Sequence, residues 1–127
     1  MKKQDLPLSP HLQIYKPQIT SLLSISHRIS GVALNFVLVI LVLGLLCITL
    51  GESYFELLIS LINSFPIKIM IFLAILGFSY HFLNGIRHII WDFGFLLGNR
   101  SSAIFGYIII ATSFISSILI SRLLGLF

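Results

Sequence analysis

Residues 79 to 92 read SYHFLNGIRHIIWD, which places polar and charged side chains inside a long apolar run. On a helix, four residues of this stretch share one face, namely His81, Gly85, His88 and Asp92, and Asn84 lies beside them. Ionisable side chains inside a membrane cost about 2.5 to 3.5 kcal/mol each, so they usually face a partner, a cofactor or water. A histidine followed one turn later by glycine therefore predicts a flat ligand lying against this helix.

The alternative for the end of this stretch is a plain membrane boundary. Arg87, His88, Trp91 and Asp92 are residue types that are common at the headgroup level. His81 fits this alternative less well, because it lies two helical turns further into the apolar run. An imidazole at that depth finds no water to bond.

The composition identifies an integral membrane protein. The chain has 127 residues, of which 57% are hydrophobic and 9% charged, and its mean hydropathy is +1.07. A span needs about 20 apolar residues, so the length allows two to four spans in one domain. The net charge of +4 is small and dispersed, without a basic run, and this excludes nucleic acid as a partner.

The single cysteine, Cys47, lies in an apolar run and has no CxxC neighbour. It supports no disulfide, zinc site or covalent haem attachment, and we predict a buried packing residue. The start of the chain lacks the pattern of a signal or transit peptide, so the first span is expected to direct insertion. This favours a bacterial or organelle-encoded protein.

Three apolar runs predict an all-α bundle of three transmembrane helices, with spans at about 29–50, 67–91 and 103–124. The prolines of residues 1 to 20 predict an extended segment on the membrane face. Residues 53 to 65 are predicted to be a connecting loop that lies partly in the interface. In the third span, Ser113, Ser117 and Ser121 recur every fourth residue and predict close helix packing.

The distribution of basic residues predicts the orientation. Six lie on the side of the N-terminus: Lys2, Lys3, Lys16, Arg28, Arg87 and Arg100. Only Lys68 and Arg122 lie on the other side. The N-terminus is therefore predicted to face the cytoplasm or the mitochondrial matrix. His81 would lie roughly 21 Å along its span, in the inner half of the bilayer.

A second polar face begins the first span, in the stretch SLLSISHRISGVALN from residue 21 to 35. Its members recur at helical spacing: Ser24, His27, Arg28, Gly31 and Asn35. The two polar faces lie at the same membrane depth and could enclose one site, with Arg28 as a fixed charge and Ser24 as a hydrogen-bond donor. The alternative is that Arg28 extends to lipid phosphate and His27 marks the interface.

The chain resembles the cytochrome b membrane-anchor subunits of succinate dehydrogenase, respiratory complex II. Three stretches carry the resemblance: PLSPHLQIYKP at 7–17, SISHRISG at 24–31 and HFLNGIRHIIWDFG at 81–94. The second and third contain the patterns S-x-x-H-R-x-x-G and H-x-x-x-G-I-R-H-x-x-x-D, in order and on the first two spans. Together they are highly specific, and the resemblance extends over essentially the whole chain.

The resemblance implies a role for each polar residue. His81 would be an axial ligand of a b-type haem, whose other ligand belongs to a second small anchor subunit. His27, Arg28 and His88 would lie near the haem propionates, and cations suit carboxylates there. Ser24 and Arg28 would line the ubiquinone pocket. Asp92 would lie on a proton path to the quinone, or would be a helix-end carboxylate paired with a base.

The resemblance also implies that the chain does not oxidise succinate itself. It has no flavin motif and no iron–sulfur cysteines, so this chemistry is assigned to a flavoprotein subunit and an iron–sulfur subunit. The expected location is a bacterial plasma membrane or a mitochondrial inner membrane. Two other functions are open: an anchor of a quinol:fumarate reductase, with or without haem, and a haem-free scaffold that only holds soluble subunits.

Overall fold

The computed structural model describes residues 16–127. The predicted extended segment lies mostly outside the described residues, and only its end, Lys16 to Gln18, is seen as non-helical chain. The described part consists of four helices and no strand: α1 (Ile19–Thr49), α2 (Glu52–Asn63), α3 (Phe65–Asp92) and α4 (Asn99–Leu123). The prediction of an all-α protein is confirmed. By length and composition, α1, α3 and α4 could each cross a membrane.

The three long helices all begin before the predicted spans; α3 contains its span, and α1 and α4 each end one residue before the predicted end. α1 has 31 residues, or about 46 Å at 1.5 Å per residue, against a hydrocarbon core of about 30 Å. The extra length of α1 lies before residue 29, where its polar residues are concentrated. α3 likewise continues through its polar stretch to Asp92. The polar residues of both helices are therefore held on rigid backbone.

The prediction of a loop over residues 53 to 65 is wrong, because these residues form α2 and the first turn of α3. Gly51, with φ 113°, breaks α1 and lets the chain turn. Glu52 then begins α2 and complements the positive end of the helix dipole. None of the residues of α2 is buried. Ser64 ends α2 and precedes α3, and Pro66 lies in the first turn of α3 as predicted.

The bundle is held together by small residues rather than by a large apolar core. The buried residues of α4 follow one stripe: Ser102, Gly106, Ile109, Ser113, Ser117 and Ser121. The hydroxyls of Ser113 and Ser117 donate to carbonyls four residues earlier, so they can be buried without a partner on another helix. The predicted packing role of the serine stripe is confirmed.

Most large apolar side chains point outward, as expected for a protein whose solvent is lipid. The most apolar 18-residue window of α1 has no buried residue. Cys47 lies in this part of α1 and is only half-buried, so its prediction as a buried packing residue is wrong. The reason is that this part of α1 lies on the outside of the bundle within the described chain, and apolar character alone does not distinguish a lipid-facing from a buried position.

Candidate functional site

The polar residues meet at one end of the bundle. α3 runs antiparallel to α1 and α4, so its last turns lie beside the first turns of both neighbours. His27 on α1 contacts His81 on α3, and Arg87 on α3 contacts Ser102 on α4. The two polar stretches that the sequence placed at one depth are therefore brought together.

His27 and His81 form the centre of this cluster. Their rings stack with centroids 4.1 Å apart and an interplanar angle of 10°. The Nε2–H of His27 donates to the carbonyl of His81 at 3.2 Å. In the other direction, Nδ1 of His81 lies 3.1 Å from the carbonyl of His27. Each histidine thus binds the backbone of the helix that carries the other, and both rings are fixed.

Ser30 completes the surroundings of His81. Its hydroxyl donates to the carbonyl of His27 at 2.8 Å and lies 3.1 Å from Nδ1 of His81. Ser30 lies one position outside the helical spacing of the polar face on α1, so that spacing does not predict it as a site residue. A signal was nevertheless present, because Ser30 follows His27 by three residues and so lies on a neighbouring part of the same helix surface.

Gly31 explains how the two helices approach each other at His81. A Cβ atom at this position would lie 2.9 Å from Cε1 of His81, which is closer than real contacts allow. At Gly85, a Cβ would lie 3.8 Å from Nε2 of His27, which is an ordinary contact. Gly31 therefore leaves the space in which the ring of His81 lies.

A second group of rings extends the cluster toward the end of α3. His88 lies 5.2 Å from His27 between ring centroids, in a tilted arrangement. Trp91 contacts His88 edge to face at 5.1 Å. The guanidinium of Arg87 lies over the ring of Trp91, 4.1 Å from its centroid, an arrangement that attracts a cation to the aromatic face.

Arg87 is fully buried, with 0% of its surface exposed, as is Asn84. For Arg87, the possibility of a headgroup contact is therefore wrong. Its Nη2 donates to the hydroxyl of Ser102 at 2.9 Å and to the carbonyl of Ser102 at 3.1 Å. Nη1 is 3.4 Å from Oδ1 of Asn84. These partners are all neutral, and the two bonds to Ser102 join α3 to α4.

Ser24 and Arg28 lie apart from the histidine stack. Ser24 is half-buried and Arg28 is exposed on the side of α1. Arg28 borders an open groove of about 420 Å³ whose other lining residues are apolar: Ile29, Val32, Ala33 and Phe36. A guanidinium at the edge of an apolar groove suits a ligand with a polar head and an apolar body.

The remaining polar residues of the two stretches lie outside the cluster. Asp92 is the last residue of α3 and is exposed. Asn35 is exposed too, and its amide donates to the carbonyl of Gly31 in its own helix at 3.1 Å. Tyr80 is not part of either polar pattern in the sequence, yet its hydroxyl donates a hydrogen bond to the carbonyl of Leu23 at 2.8 Å and connects α3 to α1.

Comparison with known proteins gives consistent matches. Residues 2–120 match the family of succinate dehydrogenase/fumarate reductase transmembrane subunits. The chain is 42% identical over 114 residues to the succinate dehydrogenase cytochrome b556 subunit of Rickettsia typhi, covering 90% of this chain and 89% of the relative.

Similar relatives occur in eukaryotes. The chain is 45% identical over 101 residues to the succinate dehydrogenase cytochrome b560 subunit of Marchantia polymorpha, covering 75% of this chain and 73% of the relative. It is 44% identical over 104 residues to the cytochrome b560 subunit of Chondrus crispus, covering 76% of this chain and 78% of the relative.

Proposed function

Because the chain belongs to the family of succinate dehydrogenase/fumarate reductase transmembrane subunits, we propose that it anchors a succinate:ubiquinone oxidoreductase in the membrane. In this proposal it binds haem b together with a second small anchor subunit and forms part of the ubiquinone site. Succinate is oxidised on a flavoprotein subunit, and an iron–sulfur subunit carries the electrons to the anchor. The names of the relatives, cytochrome b556 and b560 subunits of succinate dehydrogenase, support this direction and this cofactor.

The observation that carries the proposal is the setting of His81. Both hydrogen-bond partners of Nδ1, the carbonyl of His27 and the hydroxyl of Ser30, lie on α1. A neutral imidazole that donates from Nδ1 has its lone pair on Nε2, which is the form that binds a metal. Histidine ligands characteristically hold their second nitrogen in this way. The residues present therefore fit a haem that takes one axial ligand from this chain.

The side chains next to His81 have a consistent role toward the same group. His27 donates its Nε2–H to the carbonyl of His81, so its Nδ1 would donate to a haem propionate in the doubly protonated, cationic form of the ring. His88 lies beside His27, and Arg28 is one residue further along α1. Charge-assisted hydrogen bonds from such groups to carboxylates are stronger than neutral ones. When bound, haem with two imidazole ligands accepts and donates single electrons without binding oxygen.

The quinone part of the proposal rests on Ser24 and Arg28. Both lie near the start of α1, and Arg28 borders the apolar groove along that helix. The guanidinium and hydroxyl would donate hydrogen bonds to the quinone carbonyl oxygens, and the groove would contact the apolar body. Donors fixed where negative charge develops on a substrate oxygen stabilise the transition state. Asp92, exposed at the same end of the bundle, is retained as a candidate for proton supply.

One experiment tests the haem proposal directly. The intact complex is purified from membranes, and a reduced-minus-oxidised absorption spectrum is recorded. We expect the α-band of a b-type haem, together with a flavoprotein, an iron–sulfur protein and a second small anchor that co-purify. A complex that contains these subunits but shows no α-band would contradict haem binding and would support the haem-free scaffold.

A quinol:fumarate reductase is the second candidate, because the matched family includes fumarate reductase subunits. The two functions share an architecture and differ in the favoured direction of electron flow. We expect succinate oxidation with ubiquinone to be faster than fumarate reduction with quinol in the purified complex. The opposite ratio, measured with menaquinol as well as ubiquinol, would favour the second candidate.

A further inference from the structure

Ser30 contacts the proposed haem ligand from another helix and is not itself a proposed haem or quinone residue, and within residues 16–127 it is the one polar side chain with this combination. Its hydroxyl lies between two groups, the carbonyl of His27 at 2.8 Å and Nδ1 of His81 at 3.1 Å. The carbonyl of His27 also lies 3.1 Å from the same Nδ1. The three groups thus form a small closed network between α1 and α3.

The hydrogen atoms of this network can be assigned by counting donors and acceptors. The hydroxyl of Ser30 has one hydrogen, and the carbonyl of His27 can only accept. When Ser30 donates to that carbonyl, its contact with His81 must use a lone pair of the hydroxyl oxygen. Nδ1 of His81 is then the protonated nitrogen and donates to both oxygens. Nε2 consequently keeps the lone pair.

We infer that Ser30 is a positioning residue for His81, which holds the Nδ1–H tautomer and the plane of the ring so that Nε2 is presented to the haem iron. The inference rests on the proposed function. The stacked ring of His27, at 4.1 Å and 10°, supports one face of His81. Gly31 provides the space on α1 in which the ring lies. Ser30 adds a hydrogen bond to Nδ1 that opposes rotation of the ring about its Cβ–Cγ bond.

The hydrogen bond to Nδ1 also has an electronic consequence. An acceptor on the outer nitrogen makes an imidazole more basic, and a more basic ligand stabilises oxidised iron. Loss of the Ser30 hydroxyl leaves only the carbonyl of His27 as an acceptor. The reduction potential of the haem should therefore shift to more positive values in Ser30→Ala. The orientation of the ring should also become less uniform.

The test uses the purified complex with Ser30→Ala, Ser30→Thr and a matched control. Ser116→Ala is the control, because its hydroxyl also donates to a carbonyl three residues earlier, at 3.0 Å, and has no histidine partner. The readouts are the haem midpoint potential from a redox titration and the g-values of the low-spin ferric haem by electron paramagnetic resonance. Both report the axial ligand, and a purely structural role would not shift them selectively.

We expect Ser30→Ala to keep its haem, to show a more positive potential and to give a shifted or broadened low-spin signal. Ser30→Thr keeps the hydroxyl and should lie close to the wild type, and Ser116→Ala should be unchanged. If Ser30→Ala does not accumulate, Ser30→Cys should show the same changes to a smaller degree, because a thiol is a weak acceptor.

A wild-type potential and signal in Ser30→Ala, or in Ser30→Cys where that variant is used, would overturn the inference and leave the proposed function intact. Failure of the proposed function looks different. In that case the wild-type complex lacks a b-type haem, or the haem signal does not change when His81 is replaced. Either result would also contradict the positioning role of Ser30.

Discussion

Removal of the imidazole of His81 is the most direct change at the scale of single residues. We expect His81→Leu to lose or alter the low-spin haem signal, because Nε2 of His81 is the proposed axial ligand. We also expect less of the second anchor subunit to co-purify, since a cofactor shared by two chains stabilises their association. His88→Leu is the comparison and should keep the low-spin signal. An unchanged signal in His81→Leu, with loss in His88→Leu, would move the ligand to His88.

The proposed quinone residues are tested by measuring succinate oxidation with two different electron acceptors, ubiquinone and a soluble dye. Ser24→Ala and Arg28→Leu should reduce succinate:ubiquinone reductase activity much more than succinate oxidation by a soluble dye, because the dye accepts electrons before the quinone site. A lost charged hydrogen bond costs about 1.5 to 3 kcal/mol, or roughly one to two decades in rate, and the neutral hydroxyl of Ser24 less. Arg28→Leu should therefore be the more severe variant.

Two further variants sharpen this test. Arg28→Lys keeps the charge but not the planar arrangement of donors, so we expect only partial recovery of quinone reduction. Ser26→Ala, two residues from Ser24 and exposed on α1, should keep nearly full activity. Full quinone reductase activity with normal quinone affinity in both Ser24→Ala and Arg28→Leu would show that these residues belong to the membrane interface instead.

The sequence predicted the meeting of His27 and His81 because helical spacing and equal membrane depth follow from residue numbers alone. It did not predict the network around Ser30, which depends on the rotation of α1 about its axis. It also left the position of Arg87 open, because an arginine near a helix end can extend to lipid phosphate or turn inward. Arg87 turns inward, where the hydroxyl and the carbonyl of Ser102 on α4 both accept hydrogen bonds from it.

At the scale of helices, the contact between Arg87 and Ser102 fastens α3 to α4. Ser102→Ala removes one of the neutral acceptors of a buried guanidinium, and we expect it to lower the stability of the complex. The coupling measured by a double-mutant cycle with Arg87→Leu should be about 0.6 to 1.7 kcal/mol, the range found for hydrogen bonds inside membranes. Ser116→Ala should show no coupling to Arg87→Leu. Additive effects of Ser102→Ala and Arg87→Leu on stability would show that the contact between these two residues does not hold α3 to α4.

The serine stripe of α4 gives a second prediction at this scale. Ser117 has 0% of its surface exposed, so Ser117→Leu inserts a large side chain where none fits and should cost about 1 to 3 kcal/mol. Thr112→Leu places the same side chain on the exposed side of α4 and is the matched control. Thermal denaturation of the detergent-purified complex measures both. Equal melting temperatures for the two variants would show that the stripe does not pack closely.

For α2, the sequence pattern is least informative about whether a helix or a loop forms. Its leucine and isoleucine residues indicate a segment at the membrane interface, and the breaks at Gly51 and Pro66 predict a loop between them. The structure places a complete helix between them. A 12-residue helix has little stability of its own, so contacts with α1 and α3 decide whether it forms, and those contacts cannot be inferred from its own sequence.

At the scale of the whole molecule, the orientation of the bundle determines which membrane face carries the histidine cluster. The prediction that the N-terminus faces the cytoplasm or matrix counted Arg87 among the basic residues of that side. Arg87 is buried in the bundle, and the rule concerns charges in loops and at helix ends. The remaining basic residues still favour the same side, so the predicted orientation does not change when Arg87 is left out.

Single cysteines in a Cys47→Ser background test this orientation in sealed vesicles that contain the assembled complex. Lys16→Cys and Asn99→Cys lie at the end of the bundle that carries the cluster, and Glu56→Cys lies toward the other end; all three positions are exposed. A membrane-impermeant maleimide should label the first two only when the cytoplasmic or matrix face is outward, and Glu56→Cys only in the opposite vesicles. Labelling after solubilisation gives the total number of reactive thiols at each position and identifies a position that a partner subunit covers.

The reverse pattern would place the N-terminus, Ser24 and the histidine cluster near the opposite face. Electrons from soluble subunits on the inner side would then have to cross most of the bilayer to reach His81, and the proposed path from succinate to quinone would fail.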